Sequence, residues 1–196
     1  MRFLHSQHAV NVAARLIVAA LLLVASTAIR ASADEPKKPD EPKKIAPEKV
    51  SLTKVDRAEF DKAVAKHKGK VVLVDFWATW CAPCVKQFPH TVELAHKYAD
   101  KGLVVISVSF DDPDEEAEVR KFLGERGANF QNLQSKVDAQ QAIDDFEIDN
   151  GAIPNYWIYD REGKIVNRFS PSDPTVKFRS EDIDAAIEAL LKKKAK

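Results

Sequence analysis

Residues Val72–Pro89 read VLVDFWATWCAPCVKQFP, and this stretch decides the fold. The segment Val71–Trp77 is apolar apart from Asp75, which predicts a strand covered on both faces of a sheet. Apolar residues then recur at spacings of three and four, which predicts a helix from Cys81 to about Ala99. The sequence therefore places a cysteine pair where a buried strand meets the N-terminus of a helix.

This junction favours thiol chemistry. A thiolate at a helix N-terminus faces unpaired backbone N–H groups and the positive end of the helix dipole, which lowers its pKa from about 8.5 toward about 3.5–7.5. We expect Cys81 to be the exposed nucleophile and Cys84, one turn further along, to be the more buried resolving thiol. The chain has only these two cysteines, too few for a disulfide scaffold or for a structural zinc site.

The rest of the domain alternates helices and strands. Asp56 and Glu59 predict a capping box that opens the first helix, and Leu103–Phe110 predicts a second buried strand. Asp112 and Pro113 predict the start of a third helix. The remaining predicted elements are a short helix at Ala139–Phe146, a hairpin of Asn155–Tyr159 and Lys164–Phe169, and a final helix capped by Ser180. This order predicts an α/β fold with a mixed central β-sheet flanked by helices.

Two N-terminal segments are expected to lie outside the domain, which is predicted at residues 51–196. Residues 1–33 are typical of an export signal, with the apolar run Leu16–Ala25 and the cleavage-site pattern Ala31–Ala33. An uncleaved N-terminal anchor is the alternative. Residues 34–50, DEPKKPDEPKKIAPEKV, predict a flexible, solvated linker. In either case we expect the domain in the periplasm or another extracytoplasmic compartment.

The overall charge excludes partners that are recognised through a strong electrostatic field. Lysine and arginine total 30, and so do aspartate and glutamate, so the formal net charge is zero. We therefore expect no nucleic-acid partner. We also expect the protein to be a monomer.

The stretch VLVDFWATWCAPCVKQFP closely resembles thioredoxins, including the proline five residues after the second cysteine. Gly151–Pro154 resembles the cis-proline loop of the same family, and the resemblance covers about Val55–Leu191. The order of an export signal, a linker and a domain with a lengthened middle part resembles the extracytoplasmic TlpA/ResA group. The resemblance implies a thioredoxin fold with helices on both faces of the sheet and an additional helix and strand inserted before the cis-proline strand.

The resemblance also implies a substrate-binding surface around the cysteine pair. Pro154 would be cis and pack against the pair, and Ile153 would offer backbone hydrogen bonds to an extended substrate peptide. Trp80 would cover the flank of the site. Ala82 and Pro83, which lie between the cysteines, would belong to the same surface.

Asp75 matches the buried acid of thioredoxins, whereas many TlpA-like proteins have asparagine at this position. Its apolar neighbours predict burial beneath Cys84, and burial of an unpaired acid raises its pKa. An acid of raised pKa can take a proton near neutral pH and help to deprotonate Cys84. Asp75 thus joins Cys81 and Cys84 as a candidate catalytic residue.

The resemblance implies a thiol–disulfide oxidoreductase that needs no cofactor, because the electrons stay on sulfur. Its substrates would be exported proteins with cysteine pairs, apocytochromes c included. A membrane electron carrier of the DsbD or CcdA kind would recharge the dithiol. The direction of electron flow depends on the reduction potential, which spans roughly −270 to −120 mV across the fold.

Three alternatives stay open on the same fold. They are an oxidant that forms disulfides, a thiol peroxidase and a protein that delivers copper without catalysing a reaction. Copper delivery usually needs a histidine from a distant loop, and no histidine follows His96. We therefore expect no bound metal.

Overall fold

A computed structural model of the protein describes residues 42–171 and 178–193, so the predicted export signal, residues 1–33, lies outside the described residues. Within those two ranges six strands form one sheet and five helices pack against it. The strands are β1 (Leu52–Val55), β2 (Val71–Trp77), β3 (Leu103–Ser109), β4 (Gln131–Ser135), β5 (Asn155–Tyr159) and β6 (Ile165–Phe169). The helices are α1 (Arg57–Ala65), α2 (Ala82–Tyr98), α3 (Glu116–Arg126), α4 (Ala139–Asp145) and α5 (Ser180–Lys192). Among these helices, none combines the length and the apolar character that a membrane span requires.

The strand order is β1-β4-β3-β2-β5-β6. The first four strands in that order run parallel, and β5 and β6 form the predicted antiparallel hairpin. Residues of α1 and α4 pack on one face of the sheet, and residues of α2, α3 and α5 pack on the other. The prediction of a mixed sheet with helices on both faces is therefore confirmed. β4 and α4 lie between α3 and the hairpin, where the resemblance implies an additional helix and strand.

β2 lies at the centre of the sheet, and all its residues are buried. Because side chains alternate along a strand, Val74 and Phe76 join the apolar cluster beneath α1 and α4. Leu73 and Trp77 face the other side, where they belong to two separate apolar clusters. Asp75 lies between them on the strand, so its carboxyl group enters the core beneath α2.

The sequence-based prediction missed β1 and β4. β4 reads QNLQS and lacks the apolar pattern of a buried strand, yet Asn132 and Gln134 are buried. Both side chains form hydrogen bonds inside the fold. Ser107 Oγ donates to Asn132 Oδ1 at 2.8 Å, and Gln134 Nε2 donates to the Asp112 carbonyl oxygen at 2.7 Å, whereas Gln134 Oε1 has no partner among the described residues. A strand whose burial depends on side-chain hydrogen bonds cannot be detected from hydrophobic periodicity.

Helix starts agree with the sequence to within a few residues. The predicted capping box of α1 is present, with Glu59 N–H donating to Asp56 Oδ1 at 2.8 Å and Asp56 N–H donating to Glu59 Oε2 at 2.9 Å. Ser180 was predicted to cap the final helix, but it is the first residue of α5, and Arg179 holds the N-cap position. The difference is one residue.

α3 begins later than predicted. Asp112 and Pro113 were expected to open this helix, but its first residue is Glu116. A separate turn precedes the helix, in which Glu115 N–H donates to the Asp112 carbonyl oxygen at 2.9 Å and Glu115 Oε2 accepts from Asp112 N–H at 3.0 Å. Asp112 and Asp114 therefore lie in a loop at the carboxyl edge of the sheet, before the helix begins.

The spacings of three and four predict one buried stripe on α2, but the buried face in the structure is wider. The predicted stripe consists of Val85, Phe88, Val92, Ala95 and Ala99. Phe88 and Val92 are buried as the spacing predicts, whereas Ala99 lies beyond the end of the helix and is exposed. Leu94 and Tyr98 are also buried, because α5 covers this side of α2.

The end of the predicted linker packs on the domain. Ile45 N–H donates to the Gly124 carbonyl oxygen of α3 at 2.9 Å, and a Cβ atom added at Gly124 would clash with the Ile45 carbonyl oxygen. Val50 is buried in the cluster that contains both cysteines. The domain therefore includes residues 42–50, so its boundary lies earlier than the predicted residue 51. The composition of this segment, which is rich in Pro, Lys and Glu, does not predict that part of it packs on the domain.

Candidate active site

Cys81 is the N-cap residue of α2, and its Sγ accepts a hydrogen bond from Cys84 N–H at 3.3 Å. Pro83 fits in the first turn because backbone N–H groups there have no partner within the helix. The two cysteines form a disulfide with their Cα atoms 5.2 Å apart. The sulfur of Cys81 thus occupies the position where a side-chain oxygen usually caps a helix.

The cysteines differ in exposure in the predicted order, but both are buried in the oxidised protein. Cys81 is 6% exposed and Cys84 is 2% exposed. In the oxidised protein Cys81 is therefore not exposed, contrary to the prediction. Solvent reaches the site beside Trp80, which is 55% exposed, and beside the exposed Ala82 and Pro83.

The loop before β5 contacts the cysteine pair. The Ile153–Pro154 peptide bond is cis, as the resemblance implies, and Pro154 is buried. The Ile153 carbonyl oxygen lies 3.7 Å from Cys81 Sγ, and the Ile153 side chain packs against the cluster that contains both cysteines. The fold therefore brings residues 153 and 154 to the cysteine pair, while their role in substrate binding stays a prediction.

Asp75 is buried as predicted, with only 1% of its surface exposed. Thr91 Oγ1 donates to its Oδ2 at 2.6 Å, and its Oδ1 has no hydrogen-bond partner among the described residues. Burial raises the pKa of Asp75 to about 7, although the hydrogen bond from Thr91 acts in the opposite direction. Thr91 follows Cys84 by seven residues, about 10 Å along the helix axis, so Asp75 contacts α2 two turns beyond the resolving cysteine.

Sequence reasoning missed Asp111, a second buried carboxylate at the carboxyl end of β3. Both of its oxygens accept from Thr79 N–H at 3.0 Å, and the Thr79 hydroxyl also donates to it. Ser109 Oγ donates to Asp111 Oδ2 at 2.6 Å. Because Thr79 precedes Cys81 by two residues, Asp111 anchors the turn that presents the nucleophile. The sequence does contain a signal for Asp111: it is an acid directly after a buried strand, at the edge of the sheet where α2 begins.

The described residues contain no group of three or more His, Cys, Asp or Glu side chains that could hold a metal ion. His67 Nε2 forms a hydrogen bond of 2.8 Å with Gln131 Oε1, and His90 Nε2 forms one of 2.8 Å with Asp184 Oδ1 on α5. Each of these imidazoles is therefore engaged in a contact between elements of the fold.

The Redoxin family model matches residues 41–187. The chain belongs to the Redoxin family. This Redoxin chain is 35% identical over 101 residues to the thiol-disulfide oxidoreductase ResA of Bacillus thuringiensis (strain Al Hakam), covering 52% of the chain and 55% of the relative. It is 36% identical over 99 residues to the thioredoxin-like protein YneN of Bacillus subtilis (strain 168), covering 50% and 55%. The chain thus spans about half the length of these curated relatives.

Solved structures confirm the thioredoxin-like fold of this Redoxin chain. A protein of Chlorobium tepidum described as a thiol:disulfide interchange protein DsbE matches with a TM-score of 0.52 and 29% identity, covering 65% of the chain and 84% of that protein. The thioredoxin domain of a thiol-disulfide oxidoreductase of Bacteroides vulgatus matches with a TM-score of 0.52 and 28% identity, covering 65% and 83%. The chain is therefore a TlpA/ResA-like member of the thioredoxin superfamily.

The first prediction concerns the pH dependence of stability. Because burial raises the pKa of Asp75 above its unfolded value, its contribution to the free energy of unfolding is complete below about pH 4 and is lost as pH rises through about 7. Asp75→Asn removes this titration. Between about pH 4 and 8, the free energy of unfolding of the variant should therefore fall less than that of the wild type, by on the order of 3 kcal/mol.

Urea unfolding of the oxidised proteins at both pH values measures this difference, because the bonded cysteines do not titrate. Asp114→Asn, a change of an exposed acid in the same chain, should keep the wild-type pH dependence. If Asp75→Asn loses as much stability as the wild type over this pH range, the carboxyl group does not have a raised pKa.

The second prediction concerns the anchor of the active-site turn. Asp111→Ala leaves the Thr79 N–H without its acceptor and should lower the free energy of unfolding by about 3 kcal/mol. Denaturant unfolding measures the loss. Asp112→Ala, which truncates an exposed neighbour, should change stability by less than about 0.5 kcal/mol. Equal losses of unfolding free energy in the two variants would show that the hydrogen bonds of Asp111 do not stabilise the active-site turn.

Proposed function

We propose that this protein is an extracytoplasmic thiol–disulfide oxidoreductase that reduces or exchanges protein disulfides. The observation that carries the proposal is the Cys81–Cys84 pair across the first turn of α2, with Cys81 Sγ next to the cis-proline loop. ResA, the relative from Bacillus thuringiensis, is itself named a thiol-disulfide oxidoreductase, which supports the proposal.

The exchange reaction needs no atoms beyond sulfur and protons. In the reduced protein, the Cys81 thiolate attacks one sulfur of a substrate disulfide, and the other substrate sulfur leaves as a thiolate. Asp75 takes the proton of Cys84, whose sulfur then attacks Cys81 Sγ. The bond between Cys81 Sγ and the attacked substrate sulfur breaks, that sulfur leaves as a thiolate, and Cys81 and Cys84 end as a disulfide. Two electrons have passed from the protein to the substrate, so the reaction requires no cofactor.

The surface around the pair suits an extended peptide. Trp80, Ala82 and Pro83 offer an exposed, largely apolar platform beside a nearly buried disulfide. Backbone groups of Ile153, two residues before β5, could pair with the peptide main chain, as in other proteins that bind extended peptides through main-chain hydrogen bonds. Recognition would then depend little on the substrate side chains, which favours a range of exported proteins with cysteine pairs.

The TlpA/ResA resemblance supports the finer proposals. The predicted export signal at residues 1–33 supports action outside the cytoplasm, either as a released protein or through an uncleaved anchor. Apocytochromes c are candidate substrates, and a membrane electron carrier of the DsbD or CcdA kind is the candidate donor. We propose that the protein acts as a monomer.

The third prediction tests the roles of the two cysteines. Cys84→Ser should accumulate mixed disulfides through Cys81, because the first attack survives and resolution is lost. Cys81→Ser, the matched control, should accumulate none. Non-reducing gels of both variants, isolated from the extracytoplasmic compartment after acid quenching, measure the trapped species. Equal trapping by the two variants would contradict the assignment of nucleophile and resolving thiol.

A further inference from the structure

The two oxygens of the Asp75 carboxyl group have different surroundings. Oδ2 accepts the hydroxyl of Thr91 at 2.6 Å, whereas Oδ1 is buried and has no hydrogen-bond partner among the described residues. A buried carboxylate with one hydrogen bond is costly to ionise. Oδ1 is therefore the oxygen at which a proton would bind.

The elements packed around Asp75 supply few groups that could compensate its charge. On β5, Tyr156 pairs with Asp75 in register, and on β3 the register partner is Ser107, whose hydroxyl donates to Asn132 on β4. Burial and then the charge of Asp75 raise the pKa of Tyr156 well above its usual value, against the opposite effect of a hydrogen bond with Thr91, so this phenol stays protonated. No cation contributes to the pKa shift of Asp75, whose causes are burial and Thr91 alone.

α2 places Thr91 on the same face as Cys84. The two residues are separated by seven positions with Phe88 between them, and all three side chains are buried beneath the helix. The contact between Thr91 and Asp75 thus joins the acid to the helix that carries both cysteines.

We propose that Thr91 is a positioning residue for the resolving step: its hydroxyl holds Oδ2 of Asp75 and leaves Oδ1 free to accept the proton of Cys84. The inference rests on the proposed function, since it concerns the second half of the exchange reaction. Without the hydroxyl, Asp75 loses the hydrogen bond that lowers its pKa and would hold its proton to higher pH.

The test replaces the hydroxyl while keeping the shape of the side chain. Stopped-flow mixing of the reduced protein with excess disulfide-bridged peptide gives a concentration-dependent phase for Cys81 attack and a concentration-independent phase for resolution. In Thr91→Val, the pH profile of resolution should move to higher pH by about one unit, a roughly tenfold slower resolution on the acidic limb. Thr91→Ser keeps the hydroxyl and should restore the wild-type profile, and the first phase should be unchanged in both variants.

Repeating the Thr91→Val substitution in an Asp75→Asn variant distinguishes an effect on Asp75 from a general effect on core packing. In Asp75→Asn, the further change Thr91→Val should not alter the resolution profile, because the group that Thr91 holds no longer titrates. An unshifted profile in Thr91→Val, or a shift that persists in the Asp75→Asn background, would overturn the proposal. Should Thr91→Val fail to fold, Thr91→Ala provides the same comparison.

A measurement without turnover distinguishes this inference from the proposed function. NMR titration of the Asp75 carboxyl carbon in the oxidised protein follows its protonation directly. Thr91→Val should raise the titration midpoint by about one pH unit, and Thr91→Ser should not. Absence of exchange by the wild type would contradict the proposed function, whereas an unchanged Asp75 midpoint in Thr91→Val would contradict the role of Thr91.

Discussion

The hydrogen bond from Cys84 N–H to Cys81 Sγ, 3.3 Å long, is the contact on which the site depends. It places a sulfur at the N-cap of α2, where backbone N–H groups and the helix dipole favour negative charge. The fold holds this geometry from two sides. β2 ends at the carboxyl edge of the sheet, just before the cysteine motif. Asp111 accepts hydrogen bonds from the backbone N–H of Thr79, two residues before Cys81. The reactivity of Cys81 follows from its position at the helix start.

Two buried carboxylates flank this junction, and their hydrogen bonds suit them to different tasks. Asp111 accepts from the backbone and hydroxyl of Thr79 and from Ser109, so its charge is compensated and it fixes a turn. Asp75 accepts one hydrogen bond, and its second oxygen has no partner among the described residues. Burial accordingly raises the pKa of Asp75 to about 7, which places its titration where a proton carrier would need it.

Elements with local signals could be predicted from the sequence. β2 has a continuous apolar run, α1 has its capping box, and the cysteine motif lies between strand and helix. Contacts between distant segments could not be predicted. β4 is buried through hydrogen bonds of Asn132 and Gln134, Ile45 docks on Gly124, and Thr91 reaches Asp75 across the interface of helix and sheet. Each depends on a partner far away in the chain, which periodicity and composition do not encode.

The most direct test of this account is the pKa of the Cys81 thiol in the reduced protein. It can be measured from the pH dependence of alkylation by iodoacetamide in Cys84→Ser, where Cys81 is the one remaining cysteine. The account predicts a value within about 3.5–7.5, because the N-terminus of α2 stabilises the thiolate. A value of about 8.5 or above would contradict the claim that the helix start makes Cys81 the nucleophile.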